Sequence, residues 1–303
     1  MFKNARLFRL GAPFGLDAAG LEAELANRPF RPCGPVETAT LGWSSPLGEE
    51  TAALVHAVGG CLLLCARKQE RLLPPSAVAE ALEERIGEIE SGESRDIGRA
   101  ERRRLKEQIV NEMLPRAFTR SRRTLLYIDT QSGWLAVDTA SERQAEDVVS
   151  LLRETLGSLP AKPPAPVRAP GDLLTGWLLT GEAPADFAPA DACELRDPQE
   201  NAGVIRCSGQ DLASEEILNH LRAGKRVVKL ALEWDQRLGF VLADDLSIKR
   251  LRLDTALLEE AGETEGAAAR LDAEFAIMAL QLRQLIARLD ALFGLDGEPG
   301  PVG

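Results

Sequence analysis

The side chains best equipped for chemistry in this chain are arginines. Arg99, Arg102, Arg103 and Lys106 precede Pro115, and Arg116, Arg120, Arg122 and Arg123 follow it. Arginine presents a planar fork of donors that matches phosphate oxygens. A track of such groups binds nucleic acid by releasing condensed counterions, which gives an affinity that depends on salt and not on base sequence. Residues 95–123 hold ten basic and four acidic side chains, so the segment is positive although the whole chain carries a formal charge of -11. For residues 99–112 a solvated helix face, neutralised by Glu101, Glu107 and Glu112, is an equally good reading. Residues 113–128 contain no acid, which favours phosphate binding for Arg116, Arg120, Arg122 and Arg123. A second basic group, Arg222, Lys225, Arg226 and Lys229, is followed by Lys249, Arg250 and Arg252. Ordinary surface charge also accounts for that group.

Other chemistry finds little support. His56 sits among Leu54, Val55, Ala57 and Val58, a setting for a core or interface histidine more than for a general base. Asp244 and Asp245 fall just before Leu246-Ser247, where turn formation explains adjacent acids. Cys33, Cys61, Cys65, Cys193 and Cys207 form no C-x-x-C pair, and the only histidines, His56 and His220, are isolated. Reduced core thiols are therefore expected, not zinc ligands. There is no phosphate-cradling G-x-x-x-x-G-K-[ST] loop, no G-x-G-x-x-G turn and no G-x-S-x-G elbow. No enzymatic activity, cofactor or metal is expected. No apolar run approaches the ~20 residues of a membrane span, and Met1 to Arg6 lacks the build of a signal peptide. The expectation is a cytoplasmic protein with no membrane contact.

The elements that must position the arginines can be traced from periodicity. Residues 2–10 and Val36 to Trp43 read as strands, with a helix capped by Asp17 between them. Ala52 to Val58 and Cys61 to Leu73 form a hairpin around Gly59-Gly60. Pro74-Pro75-Ser76 then opens a helix with Val78, Leu82, Ile86 and Ile89 on one face, and a second helix from about Arg99 carries Leu105, Ile109 and Met113. Together they predict a helical hairpin projecting from the sheet. Thr124 to Asp129 and Trp134 to Thr139 are strands. Ser141 and Gln144 suit a capping box for a helix ending at Gly157.

Pro160, Pro163, Pro164, Pro166 and Pro170 make residues 158–170 a semi-rigid linker. Beyond it, Asp172 is expected to cap a short helix. Val204 to Cys207 is a strand, Ser214 opens a helix, and residues 227–234, 238–243 and 247–253 form a meander. A long helix with Leu271, Phe275, Met278, Leu282, Leu285 and Leu289 on its stripe closes the chain, before a frayed 297–303 tail. Residues 1–170 balance 23 basic against 23 acidic groups, whereas 171–303 hold 13 against 24. The negative excess therefore belongs to the C-terminal unit.

Leu114-Pro115-Arg116-Ala117-Phe118 resembles the recombination-associated RdgC family. So do Phe2-Lys3-Asn4, Cys65-Ala66-Arg67-Lys68, Leu156-Gly157-Ser158-Leu159-Pro160, Gly203-Val204-Ile205-Arg206, Ser214-Glu215-Glu216-Ile217 and Lys229-Leu230-Ala231-Leu232, in family order along the chain. The resemblance implies an α+β protein whose antiparallel sheets and projecting helical hairpin assemble as a two-fold ring. Residues 1–74 with 115–157 would be the central sheet domain, 75–114 the tip and 171–303 the base. It further implies a nucleoid-associated homodimer that encircles double-stranded DNA, with single-stranded DNA a further partner, and that antagonises RecA. The residues expected at the DNA are Arg102, Arg103, Arg116, Arg120, Arg122, Arg123, Lys225, Arg226 and Lys229, and Phe118 is expected at a subunit contact. Cys207-Ser208-Gly209-Gln210 departs from the family by lacking lysines. An alternative is direct inhibition of the recombinase through the acidic unit, with DNA binding incidental.

Overall fold

The computed structural model describes residues 2–48, 51–199, 203–260 and 266–295, so the expected fraying of 297–303 lies outside them. The chain is α+β, with two antiparallel sheets and eight helices among the described residues. The first sheet comprises β1 (Arg6–Leu10), β2 (Ala39–Ser44), β3 (Val55–Val58), β4 (Cys61–Leu72), β5 (Phe118–Asp129), β6 (Trp134–Val137) and β7 (Ala161–Lys162). Their order is β2-β4-β5-β6-β1-β7, and β3 lies end to end with β2 along one edge of β4. The Gly59-Gly60 turn has both residues at positive φ, the conformation a tight hairpin requires and glycine permits.

β4 and β5 pair over their whole length, from Cys61 opposite Asp129 to Leu72 opposite Phe118. Strand alternation sends Leu62, Leu64, Ala66, Leu126 and Ile128 toward α1 (Ala18–Leu25) and α4 (Glu142–Leu156). Cys61, Leu63 and Tyr127 point to the other face, into a core shared with the second sheet. Between the two strands run α2 (Pro75–Glu93) and α3 (Arg99–Met113), which pack on each other through Val78, Leu82, Ile86, Leu105 and Ile109, a cluster separate from the two larger ones. A single 3-10 turn, Leu114–Arg116, ends the pair.

The second sheet has the order β12-β11-β10-β8-β9, from β8 (Phe187–Arg196), β9 (Val204–Ser208), β10 (Arg226–Trp234), β11 (Leu238–Ala243) and β12 (Ile248–Leu253). Its core face meets α5 (Pro170–Thr180), α6 (Glu215–Arg222) and α8 (Ala267–Phe293), which contribute Leu174, Trp177, Ile217, Leu221, Phe275, Met278, Leu282, Leu285 and Leu289. A short α7 (Thr255–Glu260) precedes α8.

Several expectations need correction. Strand β5 begins at Phe118, six residues before Thr124, because β4 supplies a partner for a polar segment with no apolar alternation of its own. β1 starts at Arg6; Phe2 and Ala5 are buried, and Ala5 bridges to Ile248. β8 was not foreseen, since it contains Pro189; that proline sits where the β8–β10 register shifts, which spares a ladder donor. The proline-rich segment is anchored as well as stiff. It supplies β7, and the amides of Ala165, Val167 and Arg168 donate to the carbonyls of Leu295, Gly294 and Phe293. Asp172 lies inside the first turn of α5, which starts at Pro170, and makes no cap. Ser141 does accept from the Gln144 amide at 3.3 Å, but the Gln144 side chain is used elsewhere, so only half of the capping box forms. Asp245 accepts from the Ser247 amide at 3.0 Å, as a turn acid does. His56 lies 3.0 Å from Asp272 across the β3–α8 interface.

Candidate nucleic-acid interface

The outer halves of β4 and β5 carry the arginines. Continuing the alternation outward, Lys68, Glu70 and Leu72 of β4 and Phe118, Arg120 and Arg122 of β5 share the face that bears α4. The register sets Lys68 opposite Arg122, Glu70 opposite Arg120 and Leu72 opposite Phe118. The start of α4 adds Arg143, Gln144 and Asp147, which with Lys68, Glu70, Arg120 and Arg122 line a cavity of about 280 Å³ that also meets Leu41, Thr124 and Val148. Arg122 donates to Gln144 Oε1 at 2.8 Å, and Gln144 Nε2 donates to Thr124 Oγ1 at 2.7 Å. Arg120 Nε donates to Glu70 Oε1 at 3.0 Å, and Lys68 Nζ to Asp147 Oδ2 at 2.8 Å. The hydrogen bond from Arg120, together with the charges of Arg120, Lys68 and Arg122, holds the Glu70 carboxyl below the usual carboxylate range against a counter-effect of burial. Four cations thus face the carboxylates of Glu70 and Asp147, leaving a positive groove.

Arg123 points to the opposite face, where its Nη2 donates to the carbonyls of Ser45 and Pro46 at 2.6 and 3.1 Å. Its fork is engaged by backbone, which separates it from Arg120 and Arg122. Arg71, also on that face, donates to the carbonyls of Gly34, Leu114, Pro115 and Ala117 at 2.9–3.3 Å. It thereby ties the root of the α2–α3 pair to the sheet. Phe118 is 85% exposed, with Leu72 beside it at 42%, so Phe118 is no core residue within this chain.

The remaining predicted cations are dispersed. Arg102 pairs with Glu83 of α2, while Glu101 and Glu112 pair with Arg95 and Arg85. Of the row Arg99, Arg102, Arg103 and Lys106, only Arg102 is therefore paired among the described residues, and not with Glu101, Glu107 or Glu112. Arg103 and Arg116 make no ion pair among the described residues. Arg226 and Lys229 of β10 and Lys225 just before it pair with Asp172, Glu194 and Asp197, respectively. Glu194, only 7% exposed, also takes Arg196 and Arg206, each at 3.1 Å. Burial pushes its carboxyl up, but the three cations win and bring it to about 2. Lys229, Arg206, Lys249 and Arg250 line a second cavity, of about 390 Å³, around this acid.

Sequence reasoning missed Lys68, Arg143, Arg196 and Arg206 as site residues. Each stands apart from the arginine run. For Lys68 a signal existed: it continues the even-numbered row Leu62, Leu64, Ala66 on β4. Among the described residues no three His, Cys, Asp or Glu side chains are grouped to hold a metal ion. No described helix is long and apolar enough to cross a membrane.

Comparison with known proteins covers nearly the whole chain. A family model described as "Putative exonuclease, RdgC" matches residues 1–296. The recombination-associated protein RdgC of Tolumonas auensis is 45% identical over 295 residues, covering 97% of this chain and 98% of that protein. Its namesake in Pseudomonas aeruginosa (strain LESB58) is 45% identical over 306 residues, covering 100% and 99%. The one in Aeromonas hydrophila is 42% identical over 295 residues, covering 97% of each chain.

Proposed function

The chain belongs to the RdgC family of recombination-associated proteins, and from that premise we propose that it is a sequence-independent duplex-DNA-binding protein that acts as a ring-shaped homodimer and restrains RecA-promoted recombination. The observation that carries this reading is the single face shared by Lys68, Arg120, Arg122 and Arg143. Guanidinium and ammonium groups in a row suit phosphate neutralisation over base readout. The separate core of α2 and α3 suits a projecting tip, and the exposed Phe118 and Leu72 at its root suit a subunit contact. A basic inner wall and an acidic outer surface reconcile duplex binding with a formal charge of -11, because local field and not net charge governs association.

The test is a mobility-shift titration with duplexes of unrelated sequence, without RecA, at several salt concentrations. Affinities that agree across sequences and fall linearly on a log–log salt plot are expected. Retained inhibition of RecA with no duplex binding would instead establish a protein-directed inhibitor working through residues 171–303. The family description also raises a nuclease reading. Incubating end-labelled duplex with magnesium in the same experiment decides it, and intact substrate is the expected result.

A further inference from the structure

Five of the nine cations expected at DNA, Arg102, Arg120, Lys225, Arg226 and Lys229, are already bound to carboxylates of the same chain. Within the groove the pattern is most organised. Glu70 stands directly opposite Arg120 in the β4–β5 ladder, and Asp147 of α4 holds Lys68. These carboxylates lie on the groove surface itself, so an approaching phosphate meets both the cations and their partners. Both pairs are partly exposed, which keeps each of them weak enough to be exchanged.

We propose that Glu70 and Asp147 are internal counter-anions that phosphate must displace, and that they set the protein's affinity for DNA below what its cations alone would give. The proposal rests on the reading of this groove as the DNA path. When phosphate displaces a carboxylate, the freed carboxylate re-associates with cations from solution, which offsets part of the counterion release from the DNA. The affinity and its salt dependence are thus both reduced, and bound protein stays readily reversible. An exposed ion pair contributes on the order of 0.2–1 kcal/mol, a competition of roughly 1.5- to 5-fold for each carboxylate. Ionisation of Glu70 is secured by its neighbours, so the competition persists throughout the neutral range.

The experiment compares wild type with Glu70→Gln, Asp147→Asn, the double variant, Glu154→Gln and the Arg120→Ala/Arg122→Ala pair, using one 30-base-pair duplex across a salt series. Glu154 also lies on α4 but pairs with Arg28 outside the groove, so its variant reports the general effect of removing one negative charge. The double neutralisation is expected to tighten binding several-fold beyond the Glu154→Gln effect, with a steeper salt dependence. Glu70→Gln and Asp147→Asn that only equal Glu154→Gln, while the arginine pair weakens binding, would overturn the counter-anion role and leave the DNA path standing. An arginine pair indistinguishable from wild type would overturn both. The two isosteric variants are measured singly as well, with thermal melting to show that each remains folded.

Discussion

Arg283 in α8 places its Nε 2.6 Å from Oδ2 of Asp129 at the end of β5, and Asp129 is fully buried. Asp129 also accepts the amides of Gln131 and Ser132 at 3.0 and 3.1 Å, while Arg283 reaches the Gly59 carbonyl and the Cys61 thiol, each at 3.2 Å. One guanidinium therefore pins two hairpin turns of the first sheet to the closing helix. Burial pushes the Asp129 carboxyl up, but the hydrogen bonds from Arg283 and Ser132 outweigh it and the net shift is downward.

Replacing Arg283 with Met should cost about 3–5 kcal/mol, because it strands a buried carboxylate without its partner. The pH dependence gives the sign. In the wild type the depressed Asp129 contributes stability that is present above the ordinary carboxylate range, near pH 4, and is lost as pH falls through its folded value. In the variant, burial acts without that partner and raises the folded value, so the penalty grows as pH rises through the carboxylate range. Urea unfolding at pH 4 and pH 7 should show the smaller deficit at pH 4; equal deficits would refute the assignment.

Arg71→Lys should loosen the α2–α3 pair without unfolding the sheet. An ammonium cannot reproduce a fork aimed at the carbonyls of Gly34, Leu114, Pro115 and Ala117, and lost hydrogen bonds to a charged donor cost about 1.5–3 kcal/mol. Hydrogen exchange should lose protection over residues 75–113 and keep it over β4 to β6. Uniform loss across the chain would mean that Arg71 supports the whole domain.

Arg122 and Arg123 are neighbours in sequence with opposite fates. Arg122→Ala should lower DNA affinity about equally for all duplexes and reduce the salt slope by roughly one, with folding changed by no more than ~0.5 kcal/mol. Arg123→Ala should leave the slope alone and reduce stability, since it abandons the carbonyls of Ser45 and Pro46. The reverse pattern would place the DNA on the other face of β5.

Phe118→Ala should leave the melting temperature of the subunit almost unchanged, since the ring is exposed within the chain. Its effect should appear in sedimentation as a weakened dimer, and in retention lost more on circular than on short linear duplex. Equal loss on both substrates would count against a closed clamp.

The sequence alone determined most of the elements. Helical spacing located α2, α3, α4 and α8, and Gly59-Gly60 located the β3–β4 turn, because periodicity and turn chemistry are local. The extension of β5 back to Phe118, which pairing with β4 supplies, is what sets Arg123 on the face opposite Arg120 and Arg122. The tertiary structure decided the charge environment. Residues 113–128 lack acids, yet Arg120 meets Glu70, fifty residues away, because β4 and β5 pair across the inserted helices. Lys68 and Arg143 join the groove by register and by the docking of α4. Ion pairs act through space over a few ångströms, and sequence separation carries no information about which carboxylate a strand ladder will place beside a given arginine.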